Sequence, residues 1–138
     1  MSCESCVIEL IVKDDLCLRI MEPRHVTEDY IEWLNDYEVT KFTEARHFNH
    51  SRVSQESYVS RLLESSEDYL WGIYVGNYLV GTIKLGSISS NHQRADLSFI
   101  LGRKQYWGRG IMSMAVEAVE KFAQRELGLK KLNAGYYE

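Results

Sequence analysis

An α+β domain is what this sequence predicts, and three observations predict it. Residues 69–75 (YLWGIYV) form a continuous apolar run, and Gly76-Asn77 separates it from a second run at 78–88. That is the pattern of a two-residue hairpin between buried strands. Residues 94–101 alternate: Ala95, Leu97, Phe99 and Leu101 fall on one side, Arg94, Asp96, Ser98 and Ile100 on the other. Residues 111–127 then change to helical spacing. Met112, Ala115, Val116, Val119, Phe122 and Ala123 make one stripe, with Glu117, Glu120, Lys121 and Arg125 outside it.

The remaining elements follow in chain order. Residues 7–12 and 16–21 are rich in β-formers around Lys13-Asp14-Asp15, giving either a hairpin or a tail leading into a first strand. Pro23 stops the pairing. Thr27 suits a helix N-cap, with Glu28 and Asp29 where carboxylates complement the helix dipole. Tyr30, Ile31, Leu34 and Tyr37 recur at helical spacing, so a helix is expected over 27–36. Ser51 caps a second helix whose apolar face would be Val53, Tyr58, Val59, Leu62 and Leu63. Three antiparallel strands span 69–101, with a turn at 89–93. The long helix stops at Gly128, and 131–137 reads as a final strand. Strands and helices mix as β-α-α-β-β-β-α-β, and no repeat or linker divides them.

Composition narrows the function classes. The 138 residues are 45% hydrophobic and 26% charged with one proline and nine glycines, which excludes a disordered chain, a collagen-like repeat and a disulfide scaffold. No run approaches the ~18 apolar residues of a membrane span, and the acidic N-terminus does not resemble a secretory signal. The expectation is a soluble, cytoplasmic protein with no membrane partner. Residues 1–69 carry seven Lys/Arg against fifteen Asp/Glu, and residues 70–138 carry nine against five. No dense basic stripe exists, so no nucleic-acid partner is expected. The split suggests an anionic ligand on the back half and a cationic one approached by the front. Cys3 and Cys6 form a lone C-x-x-C with Cys17 left over, and His47 and His50 do not complete a zinc spacing. Free thiols and no metal are expected.

The chemistry-bearing segment is GRKQYWGRG at 102–110, between the alternating strand and the long helix. A glycine-dense strand-to-helix turn lets backbone N–H groups converge on an anion, and the helix dipole adds positive potential. Arg103, Lys104 and Arg109 bring side-chain charge. Ser113 stands where a dinucleotide fingerprint needs Gly or Ala, and no Gly-Lys-Ser/Thr of a P-loop occurs.

Gln105-Tyr106-Trp107-Gly108-Arg109-Gly110 resembles the Q/R-x-x-G-x-G/A acetyl-CoA motif of the GNAT N-acetyltransferase superfamily. The segments VGTIK at 80–84, ADLSFIL at 95–101 and LGLKKL at 127–132 follow that family's order and spacing. Residues 30–36 (YIEWLND) resemble the first helix of the branch holding ribosomal-protein N-terminal and aminosugar acetyltransferases. The resemblance runs from residue 16 to the end. It implies an α/β-sandwich-like fold, with a mixed, mainly antiparallel sheet flanked by helices that splays open beside the strand 94–101. Members continue past the strand at 131–137 with a helix and two further strands. The expectation is thus a tail or extra strand at 1–15 and an incomplete acetyltransferase domain over 16–138. Such a domain would be a fragment, or one completed by a partner, for instance as a homo-oligomer through the exposed final strand.

The resemblance also assigns roles. Acetyl-CoA would lie in the opening, its pantetheine arm beside Ile100 and Leu101. Its pyrophosphate would sit on the amides of Gln105, Tyr106, Trp107, Gly108, Arg109 and Gly110, with Ile111 and Met112 in the first helical turn. An amine, on an aminosugar or at a peptide N-terminus, would attack the thioester directly. An ammonium must first lose a proton. Asp96 stands at the place of an acidic residue common on this strand, or else pairs with Arg94 or Lys84. Glu32 is the second candidate base, and Tyr136 or Tyr137 could protonate the leaving thiolate. Trp33, Arg46 and His47 would line the acceptor pocket. The alternative is a non-catalytic acyl-CoA-binding domain that works through association.

Overall fold

The computed structural model describes residues 10–13, 16–41, 49–89 and 91–134. The strands are β1 (Leu10–Lys13), β2 (Leu16–Ile20), β3 (Tyr69–Val75), β4 (Tyr78–Ser89), β5 (Arg94–Leu101) and β6 (Lys131–Ala134). Among the described residues, four α-helices accompany them: α1 (Glu28–Asn35), α2 (Tyr37–Thr40), α3 (Arg52–Glu64) and α4 (Ile111–Glu126). The strands make one sheet in sequence order, antiparallel from β1 to β5 and parallel between β5 and β6. The parallel step follows from connectivity, because α4 carries the chain back along the sheet before β6 begins.

Local chemistry sets the boundaries. The Thr27 hydroxyl accepts a hydrogen bond from the Tyr30 amide at 3.1 Å, opening α1. Asp36 both ends that helix and caps α2 by accepting from the Glu38 amide at 3.0 Å. The helix expected over 27–36 therefore closes at Asn35, and Tyr37 belongs to the next turn, 67% exposed. Ser51 and Ser54 cap the start of α3 reciprocally, at 3.1 and 3.0 Å. Gly76, at φ +62°, supplies the left-handed residue of the β3–β4 hairpin.

The sheet has a core on each face. On one, α4 packs Ala115, Val119, Phe122 and Ala123 onto Trp71, Ile83, Leu85, Ala95 and Leu97. On the other, α1 and α3 bury Tyr30, Trp33, Leu34, Val59 and Leu62 with Met21, Leu70 and Leu79. The expected face of α3 needs correction. Val53 and Leu63 are 74% and 46% exposed, and Gln55 is buried beside Val59 and Leu62. Gln55 takes the inward position because its amide donates to the buried Tyr30 hydroxyl at 2.9 Å. A satisfied polar pair is thereby compatible with burial.

Candidate functional site

The candidate site lies where the end of β5 turns into the loop before α4. The β5–β6 ladder runs from Arg94↔Lys131 to Leu97↔Ala134, while the β4–β5 ladder continues to Gly81↔Leu101. The described residues of β6 end opposite Leu97, and β5 continues along β4 as far as Leu101. At this end β4 and β5 are pressed together, since a methyl group at Gly81 would overlap the Ile100 carbonyl oxygen. The Val80 carbonyl accepts from both the Gly102 and Arg103 amides, at 2.9 and 3.2 Å, and so turns the chain out of the sheet.

Gly102 lies against the indole of Trp33, which a Cβ at this position would overlap. A 3-10 turn at Lys104–Tyr106 follows, and the Trp107 indole N–H donates to the Leu101 carbonyl at 2.8 Å. Gly108 and Gly110 both have φ +77°, with open space within 4 Å of where a Cβ would stand. Gly110 caps α4 without any side-chain hydrogen bond, and no acidic residue lies in the first turn. The result is an exposed loop of small residues leading to uncapped helix amides at the positive end of a 16-residue dipole. Such a cradle suits a phosphate-bearing ligand, and the residues present fit a pyrophosphate.

The anticipated cofactor residues occupy this one strip. Gln105, Trp107, Gly108, Arg109 and Gly110 are exposed, and Ile100, Leu101, Tyr106 and Met112 are half-buried. The Ile111 side chain is only 8% exposed in the core under α4, so that residue offers the loop its backbone alone. Arg109 stacks over the Tyr106 ring with its guanidinium carbon 5.5 Å from the centroid.

Two of the three expected phosphate-facing cations are otherwise engaged. Arg103 donates to Asp29 at 2.9 Å and to the Leu79 carbonyl at 3.0 Å, and it lies over Trp33. Lys104 bridges Glu38 at 2.6 Å and Asp36 at 3.1 Å. The hydrogen bonds that its ammonium donates to these carboxylates raise the Lys104 pKa, and the Lys104 ammonium lowers that of Asp36. The acidic front and basic back of the chain thus meet in intramolecular pairs, which the charge count alone could not distinguish from ligand attraction.

Asp96 is exposed on β5, opposite Gly86 on β4 and Asn133 on β6. Glu32 is exposed on α1. Trp33, expected in an acceptor pocket, is 8% exposed and packs on Gly102 and Arg103 instead. Arg46, His47, Tyr136, Tyr137, Cys3 and Cys6 lie outside the described residues. Sequence reasoning missed two polar groups on the α1–α3 face. Tyr30, Gln55 and Thr82 form a buried hydrogen-bonded set, and burial raises the Tyr30 pKa. Lys84 donates to the Tyr58 hydroxyl at 3.3 Å. The available signal was spacing: residues 55, 58, 59 and 62 share one helical face, and 82 and 84 one strand face.

Among the described residues, no cluster of three or more His, Cys, Asp or Glu could hold a metal ion, and no helix is long and apolar enough to cross a membrane.

Comparison with known proteins places this geometry. No curated protein sequence matches the chain significantly. Among solved structures, a probable acetyltransferase superposes with a TM-score of 0.80 at 19% identity, covering 93% of this chain and 73% of its own. The ribosomal-protein alpha-N-acetyltransferase RimL in complex with coenzyme A gives 0.76 at 16% identity, covering 90% and 72%. Spermidine N-acetyltransferase from Vibrio cholerae, in complex with CoA and spermine, gives 0.71 at 17% identity, covering 88% and 71%. These likenesses establish the fold, a mixed and mainly antiparallel sheet flanked by helices. The family model described as an acetyltransferase (GNAT) domain matches residues 15–138, and on that match the chain belongs to the GNAT acetyltransferase family.

Proposed function

We propose that this chain is an acetyl-CoA-dependent N-acetyltransferase that modifies a primary amine. The observation that carries the reading is the continuity of β5 with the loop beyond it. The end of β5 runs directly into a turn with two left-handed glycines and uncapped helix amides. An extended amide-bearing arm ending in a pyrophosphate matches that succession. The strand offers backbone hydrogen bonds to the arm, and the loop offers N–H groups and a dipole to the phosphates. Coenzyme A or acetyl-CoA is present in the structures of RimL, of the spermidine enzyme and of a microcin C7 self-immunity acetyltransferase.

The chemistry asks little covalent work of the protein. A thioester is already activated, so holding it against the amine and stabilising the developing oxyanion with backbone N–H groups of β5 contribute most of the acceleration. The amine must arrive, or become, neutral. Asp96 on β5 is the first candidate to take that proton, with Glu32 on α1 the second. Tyr136 remains the candidate for returning a proton to the thiolate. Aminosugars and peptide N-termini are the acceptor classes in view.

Mass spectrometry after incubation with acetyl-CoA and an amine panel tests the reading, with acetylated product expected. Coenzyme A binding without any product would favour a non-catalytic acyl-CoA-binding domain. Coenzyme A should also raise the Tm of the unaltered chain by mass action. Gly108→Val and Gly110→Val should abolish that shift, and its persistence in both would refute the loop assignment.

A further inference from the structure

The loop that leads into α4 is gripped at its entry rather than along its length. Gly108 and Gly110 stand at φ +77° with open space around their Cβ positions, so the far half of the loop lies clear of its surroundings there. The near half is tied down at Arg103. Its amide donates to the Val80 carbonyl at 3.2 Å, and its own carbonyl accepts from the Tyr106 amide at 3.0 Å, opening the 3-10 turn. The guanidinium makes three further contacts. Nε donates to the Leu79 carbonyl at 3.0 Å, Nη2 donates to Asp29 at 2.9 Å, and Cζ lies 5.7 Å from the Trp33 ring centroid. The loop, β4 and two residues of α1 thus converge on one side chain, which is 28% exposed.

A cation at the head of a phosphate-binding loop has two uses. It can reach the ligand, or it can hold the loop in shape for the ligand. The contacts favour the second. To reach a phosphate, the Arg103 guanidinium would have to leave a carbonyl, a carboxylate and an indole face together. Only a planar fork engages all three at once, because its N–H groups point in different directions while its face stacks. Lys104, the next residue, is held to Asp36 and Glu38, but its side chain is 44% exposed and such pairs contribute less. A loop already in its bound shape loses less conformational entropy when a ligand settles on its amides.

We propose that Arg103 is a positioning residue for the cofactor loop. Through Asp29 and Trp33 it locks the loop to α1 and preshapes the amides that receive the pyrophosphate, without itself touching the phosphates. The proposal rests on the acetyltransferase reading above and deepens it. Asp29, an acid that by charge alone would repel a phosphate-bearing ligand, becomes a residue that favours its binding.

Calorimetric titration of the full chain with coenzyme A and with dephospho-coenzyme A tests this. Asp29→Asn should raise the coenzyme A Kd at least about fivefold, although it removes a negative charge near the loop. Were Arg103 a phosphate ligand, the same change would release it and tighten binding. Arg103→Met should raise the Kd at least about tenfold, equally for both ligands, and adding Asp29→Asn should change it less than about twofold further. Glu28→Gln is the control: it removes a like charge from the same turn of α1, but its partner Arg52 lies on α3. Its Kd should stay within about twofold of the unaltered chain. Asp29 is 53% exposed, so Asp29→Asn decides the matter even if Arg103→Met does not fold. An unchanged or lowered Kd in Asp29→Asn overturns the proposal. So does an equal loss in Glu28→Gln, or a loss in Arg103→Met confined to coenzyme A, which would place Arg103 on the 3′-phosphate. If the unaltered chain binds no coenzyme A, the acetyltransferase reading falls and this proposal with it.

Discussion

The two faces of the sheet are closed in different ways. On the α4 side, one long amphipathic helix covers a wholly apolar surface. Trp71 stacks on Tyr69 at 5.5 Å and meets Phe122 edge-on at 5.4 Å. On the other side, α1, α2 and α3 are shorter and carry polar contacts: the buried Tyr30–Gln55–Thr82 set, the half-buried Lys84–Tyr58 pair and the more exposed ion pairs to Arg103 and Lys104. Apolar burial fixes the first face without much regard to detail, because its driving force is non-directional. The second face depends on directional contacts, each of which places a charge or a strand end. The candidate site lies on that second face and at the loop that joins the two.

The contrast can be broken most severely on the apolar face. Trp71 is fully buried, so Trp71→Ala should cost about 3–5 kcal/mol by lost transfer energy and cavity formation. Chemical denaturation measures this, and a loss below about 1 kcal/mol would show that the α4 core is not the main source of stability. At the junction, Gly102→Ala drives a methyl into Trp33 and should cost about 2–3 kcal/mol. Because the α1 indole and the β5 terminus then separate, coenzyme A affinity should weaken in the same variant. Unchanged affinity would separate the packing role of Gly102 from the loop beyond it.

A smaller effect should come from the polar set. Tyr30→Phe removes the acceptor of the Gln55 amide and should cost about 1–2 kcal/mol. Tyr30→Phe with Gln55→Leu should recover part of that loss, and full additivity of the two would argue against the pair acting as a unit. The smallest effect belongs to the exposed Lys104 pairs. Asp36 has a lowered pKa in the folded chain, so its contribution is present above its ordinary value of 3.8 and fades as pH falls through the lower folded value. Lys104 has a raised pKa, so its share is present below 10.5 and fades as pH rises through the higher folded value. Lys104→Met should therefore lower Tm slightly between those limits, and high salt should shrink the difference. A difference that salt leaves intact would mean that Lys104 acts through packing.

Much of the fold was legible in the residues. The apolar run before Gly76-Asn77, the alternation at 94–101 and the stripe of α4 each encode a local period, and local periods survive folding because backbone geometry imposes them. Thr27 and Ser51 were readable as caps for the same reason: a cap satisfies amides within three residues of itself. The glycine loop was legible as a pattern and by its resemblance to a motif. Its left-handed φ at Gly108 and Gly110 is a property that few other residues adopt.

What the tertiary structure decided were the pairings. Arg103 and Lys104 are two adjacent cations in the sequence, and nothing in their spacing indicates that carboxylates 66 or more positions away will claim them. Gln55 takes an inward position because the Tyr30 hydroxyl lies beside it, and Val53 and Leu63 lost the inward positions that their hydrophobicity suggested. Lys84 and Tyr58, 26 positions apart, meet only because α3 packs over β4. Periodicity and capping are decided between neighbours in the chain. Charge partnership and the last half-buried positions are decided between strangers in sequence, where only the packed arrangement fixes which group lies close enough to matter.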